Sequence, residues 1–137
     1  MSKPILILSV AAAALAAWST GAFASGTEGG AAVNEAHFVP MDAIETPIVG
    51  SHRIEGSLHV KVVLDAKDAS TADMLSDRLP EFRSHLLGAT LEFSRLYASG
   101  NSPVNAELLR NQLAVALNQA APGAARVLLV EVSARAA

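Results

Sequence analysis

The rhythm of apolar and polar positions changes along the chain. From Arg53 to Asp65 (RIEGSLHVKVVLD), Ile54, Gly56, Leu58, Val60, Val62 and Leu64 alternate with Arg53, Glu55, Ser57, His59, Lys61, Val63 and Asp65. Successive side chains of a strand point to opposite faces, so this pattern predicts a strand with one buried face and one wet face. A sheet wet on one side is usually antiparallel. Gly56 is a candidate bulge position. Upstream, His37 to Val49 (HFVPMDAIETPIV) holds two short extended pieces. Pro40 and Pro47 lack an N–H for a ladder, which predicts a sheet edge or a surface path.

Downstream the period becomes helical. Leu75, Leu79, Phe82 and Leu86 follow at steps of four, three and four and line one helix face. Ser70-Thr71-Ala72-Asp73 matches a capping box before them. Pro80 removes a backbone bond and costs about 3 kcal/mol inside an unbroken helix. The segment therefore predicts a kink, or two short helices with Pro80 opening the second and Gly88 ending the regular part. Leu91, Phe93, Leu96 and Tyr97 extend an apolar face as a further helical stretch. Ser102 as cap and Pro103 in the first turn predict another helix to about Gln119, with Leu109, Leu113, Ala116 and Leu117 buried. Ala121-Pro122-Gly123 stops it. The last run, Ala125 to Ala134 (ARVLLVEVSA), is almost continuously apolar. It predicts a central strand covered on both faces, or one buried in an assembly. Strands and helices are not regularly interleaved, so the fold class is α+β: a single small domain of antiparallel-type strands, two to three helices and a C-terminal strand.

The amino-terminal segment has a different logic. Lys3 supplies a short positive region, Ile5 to Ala17 is apolar, Trp18 to Gly21 is more polar, and Ala22-Phe23-Ala24 fits a cleavage site with small residues at Ala22 and Ala24. The rival is a retained anchor, since Ile5 to Ala24 carries no charge over 20 residues, roughly the span of a ~30 Å hydrocarbon core. Either way the remainder is expected outside the cytoplasm. Residues 25–36 (SGTEGGAAVNEA) read as a flexible tether, and 37–137 as the folded domain.

Composition narrows the function classes. Cleavage would leave 113 of 137 residues, enough for one domain, and losing Lys3 would move the formal charge from −3 to −4. A weakly acidic chain argues against a nucleic-acid partner. With no cysteine, an exported domain must be held by its core alone. The histidines, His37, His52, His59 and His85, show no metal spacing, and Glu55 lies about 13 Å from His59 along an extended strand. No Gly-x-Ser-x-Gly elbow occurs, Ser84 and His85 point apart on a helix, and Asp73 and Asp77 sit at helical spacing on a predicted solvated face. The glycines Gly26, Gly29 and Gly30 fall in the tether rather than between a strand and a helix. The residues call for no cofactor, no metal and no reaction.

The stretch Phe38 to Ala134 resembles the FliL family of flagellar basal-body-associated proteins. Val39-Pro40-Met41-Asp42-Ala43-Ile44 is similar to that family's opening V-P-L-D-P-F, and Leu79-Pro80-Glu81-Phe82-Arg83 to its L-P-x-I-R. Leu117-Asn118 resembles the end of its late helix, and Leu129-Val130-Glu131-Val132 its closing F-T-E-F strand. Ile44, Leu129 and Val132 stand where the family usually has phenylalanine, which marks a divergent member. The resemblance implies a non-catalytic periplasmic domain similar to stomatin-like domains. It would sit at the inner membrane, self-associate, and work with flagellar stator and basal-body proteins in motility. It draws attention to Pro40, Asp42, Pro80, Arg83, Asn118 and Glu131. For Arg83 a structural ion-pair role and a direct partner contact both stand open. The alternative function is an exported periplasmic binding or scaffold module unrelated to flagella.

Overall fold

The computed structural model describes residues 36–137, so the predicted signal or anchor at 1–24, with Ala22 and Ala24, and nearly all of the tether lie outside the described residues. The elements run β1 (His37–Pro40), β2 (Ile44–Val49), β3 (Ile54–Ala66), α1 (Ala69–Asp77), α2 (Leu79–Tyr97), α3 (Ala106–Ala120) and β4 (Ala125–Ala136). The class is α+β, with an antiparallel sheet and a C-terminal strand as expected.

Strand β3 organises the sheet. β4 pairs with it from Gly56 to Ala66. β1 and β2 share its other edge end to end, β1 along Val63 to Ala66 and β2 along Ile54 to Val60. Pro40 and Pro47 therefore sit in outer strands, where a missing N–H interrupts no central ladder. Beside Gly56 the β2–β3 register slips, Ile48 facing Gly56 and Val49 facing Ile54. Gly56 also lies against β4, where a Cβ would stand 2.0 Å from the Arg135 carbonyl oxygen.

Alternation puts Leu58, Val60, Val62 and Leu64 of β3, Ile44 and Ile48 of β2, Val39 of β1 and Val127 of β4 on one face. The helices cover that face with Leu75, Phe82, Leu86, Phe93, Leu109, Leu113 and Leu117. Each such side chain contributes about 1.5–3 kcal/mol on full burial. α2 packs chiefly over β2, and α3 over β4. The Ser94 hydroxyl donates to the Pro47 carbonyl at 2.6 Å and ties α2 to β2. On the uncovered face, Phe38, Asp65 and Arg126 form one cross-strand row, and Pro40, Val63 and Leu128 the next.

Several local expectations need correction. Asp68, not Ser70, caps α1, its Oδ1 accepting from the Thr71 N–H at 2.7 Å. The Lys67 N–H is held by the Ala124 carbonyl, which fixes the exit from β3 and brings Asp68 to the helix start. Pro80 does open a second helix, but α2 continues to Tyr97 through Gly88. Gly88 is exposed with open space around it, and the buried Phe82, Leu86 and Phe93 on either side offset its helix penalty of about 1 kcal/mol. Of the further apolar positions only Phe93 is buried; Leu91, Leu96 and Tyr97 face outward. α3 starts at Ala106 with Asn105 as cap, its Oδ1 accepting from the Leu108 N–H at 3.0 Å, so Ser102 and Pro103 lie before the helix. Finally, β4 is neither central nor covered on both faces. β3 has two edges, β4 fills one, and β4's other edge ends the sheet among the described residues; its face with Arg126, Leu128 and Glu131 is left uncovered by the helices.

Candidate functional site

The residues highlighted by resemblance fall into three places. The first joins distant segments. Pro80 lies in the first turn of α2, where its missing N–H costs nothing, and it sets the entry of that helix. One turn on, Arg83 reaches back to the β1–β2 connection and donates to the carbonyls of Asp42 and Ala43, the latter at 2.9 Å. The planar guanidinium suits two adjacent carbonyl oxygens. Arg83 is thus a structural tie between segments 40 residues apart, made to backbone oxygens rather than to an anion. Met41 of that connection is buried, and its N–H donates to the Val62 carbonyl at 3.2 Å. Pro40 faces Val63 on the uncovered side of the sheet.

The second place is the end of α3. The Asn118 Oδ1 accepts from the Gly123 N–H at 2.9 Å, and Gly123 takes φ +66°, a left-handed conformation glycine adopts without strain. Asn118 therefore shapes the turn into β4. The third place is the uncovered face of β4. Glu131 stands opposite Lys61, and its Oε1 is 3.8 Å from His59 Nε2, an ion pair only while the imidazole carries a proton. Strand pairing, not the sequence spacing to Glu55, decides what His59 meets.

Charged groups elsewhere serve local ends. Arg78 and Glu81 pair at 2.7 Å at the α1–α2 junction, and the arginine lies over the Phe82 ring. Their mutual hydrogen bonding lowers the Glu81 pKa and raises that of Arg78. The side chain and backbone N–H of Thr71 hold the Asp68 carboxyl below its usual range. Arg126 pairs with Asp65 across β3 and β4. Asp73 and Asp77 are exposed on α1, as expected. Among the described residues no three of histidine, cysteine, aspartate or glutamate gather at metal-binding distance, and no helix is long and apolar enough to cross a membrane.

A groove of about 720 Å³ lies between α3 and β4, with Glu107, Arg110 and Asn118 on one wall and Arg126, Leu128 and Leu129 on the other. One wall is a sheet edge with backbone groups unused by any strand among the described residues. Such an edge beside a helix can take an added strand. Sequence reasoning singled out none of Arg126, Ser133 or Arg135, because no local signal tells which strand will end a sheet. No family model matches the chain, and no curated protein matches it.

Proposed function

We propose that the chain is a non-catalytic flagellar basal-body-associated protein that acts in the periplasm with the motor stator, held at the inner membrane through its amino-terminal segment. One observation carries the reading. The two best motif-like segments, around Asp42 and around Pro80 and Arg83, are far apart in sequence and meet through the hydrogen bonds of Arg83 to the Asp42 and Ala43 carbonyls. Chance likeness at two short segments gives no reason for them to touch; segments that form one structural unit do. Supporting it further, Pro80 takes the helix-opening position that suits an L-P-x-x-R segment, and Asn118 makes the turn into the closing strand. A two-layer domain whose described residues leave one sheet face open and one edge unpaired suits an assembly component.

The test is fractionation of cells carrying an epitope after Ala137, with the product's mass read and its companions identified. A full-length product in the inner membrane that co-purifies with stator proteins supports the reading. A soluble product beginning at Ser25, with no motor protein attached, removes it and leaves the exported binding or scaffold module.

A further inference from the structure

Strand β4 presents an edge that no strand among the described residues pairs with, and its carboxyl-terminal half is complementary to itself. We propose that Glu131 to Arg135 of this half pairs antiparallel with the same segment of a second copy about a twofold axis through Ser133, joining two sheets into one. The inference stands on β4 alone and does not rest on the flagellar reading.

The geometry begins with the register. Lys61 faces Glu131 and Val62 faces Leu129, so Val130 is the extra residue of a bulge, 59% exposed. A bulge twists an edge and breaks its pairing. It divides β4, and only the part beyond it continues as a regular run. In that run Val132, Ala134 and Ala136 lie on the helix side, opposite Val60, Leu58 and Gly56. Glu131, Ser133 and Arg135 lie on the uncovered side, opposite Lys61, His59 and Ser57. An added antiparallel strand must match these faces, because directly opposed residues project to the same side.

With Ser133 on the axis, the faces match. Glu131 of each copy stands opposite Arg135 of the other, Val132 opposite Ala134, and Ser133 opposite itself. The axis makes the charge pair twice, and opposite charges directly across strands are favourable. Within one copy Arg135 is exposed and makes no ion pair among the described residues, so its charge is available. The Ser133 Oγ is shut from solvent without a hydrogen-bond partner among the described residues. At the axis a turn of its χ1 toward the added strand would bring it against another hydroxyl, which can both donate and accept. The longer face-matched registers serve less well. Centred between Val130 and Glu131, the strands would set Arg126 against Arg135; centred between Leu129 and Val130, they would set Glu131 against Leu128. A surface that is its own complement calls for a second copy rather than an unrelated peptide, since a twofold interface uses one patch twice.

The chain has no cysteine, so Ser133→Cys in the full chain gives a single thiol at the axis. Directly opposed residues of antiparallel strands have Cα atoms about 4.5–5.5 Å apart, within disulfide range. Mild oxidation of intact cells should convert most Ser133→Cys chains to a covalent dimer of twice the mass, while Ser76→Cys on exposed α1 should stay monomeric. Adding Arg135→Glu should lower dimer yield about tenfold by opposing two carboxylates twice. Adding Glu131→Arg as well should restore it, with far-ultraviolet dichroism confirming the fold in each variant. Dimer yields equal for Ser133→Cys and Ser76→Cys, a disulfide to a different protein, or no restoration by the double charge swap in a folded variant would each overturn the proposal.

Discussion

Replacing Arg83 by methionine tests how the two motif-like segments are joined. Methionine keeps much of the apolar stem and removes the guanidinium, so the measured loss reports the hydrogen bonds rather than lost packing. Two bonds go, one to the exposed Asp42 carbonyl and one to the half-buried Ala43 carbonyl. A hydrogen bond from a charged group contributes about 1.5–3 kcal/mol where water is excluded and less where water replaces it. Water can take over at Asp42 but less well at Ala43. The expected total is about 2 kcal/mol, or roughly 8 °C in Tm for a domain of this size. Urea unfolding of the 36–137 domain, followed by circular dichroism, reads it directly, with the slope unchanged if only native stability falls. Arg83→Lys should recover less than half, since an ammonium cannot span both oxygens in the guanidinium geometry. A loss below about 0.5 kcal/mol would refute the structural role. If that stable variant also lost its partner in cells, Arg83 would be a partner contact.

Other substitutions probe the sheet and the first helix. Gly56→Ala should cost about 2 kcal/mol in urea unfolding, because its Cβ meets the Arg135 carbonyl oxygen at 2.0 Å and backbone must move. Thr46→Val should stabilise by about 1 kcal/mol in the same assay, since the Thr46 Oγ1 is buried with no partner among the described residues and valine keeps the shape. Asp68→Ala should lower Tm at neutral pH by removing the cap of α1. The Asp68 carboxyl has a depressed pKa in the folded chain, so its contribution is fully present above the ordinary carboxylate pKa and is lost as pH falls through the folded value. The gap in Tm between wild type and Asp68→Ala should therefore be flat from neutral pH down to about pH 5 and close in stronger acid; a gap unchanged at pH 2 would contradict the ionised cap.

What was legible in the sequence was what neighbouring residues decide. Leu58, Val60, Val62 and Leu64 announce β3 because one face of that strand meets helices and the other meets water. Pro80 marks the α1–α2 break because no helix interior tolerates it cheaply. Helix starts were misplaced where several capping residues compete. Ser70 and Asp68 both suit α1, and the choice was made by the Lys67 bond to Ala124, more than 50 residues away in sequence. Gly88 failed as a stop because tertiary burial around it outweighs its local propensity. The edge position and open face of β4 were hidden for a related reason: a continuous apolar run shows neither how many neighbours a strand has nor which of its faces the helices reach. Val130 adds to that run while staying more than half exposed. At the candidate site the resemblance marked Asp42 and Arg83 separately, and only folding brought them together. Ser133 and Arg135 carry no local signal, because self-complementarity depends on the register set by the bulge at Val130.

The most direct test of the central claim is a clean deletion of the gene in its own host, with swimming and swarming scored against a strain complemented by the full chain. The account predicts slowed swimming or lost swarming, restored by the wild-type chain and restored poorly by Arg83→Met. Motility equal to the parent's on both surfaces would contradict a role in the motor and turn attention to a partner outside the flagellum.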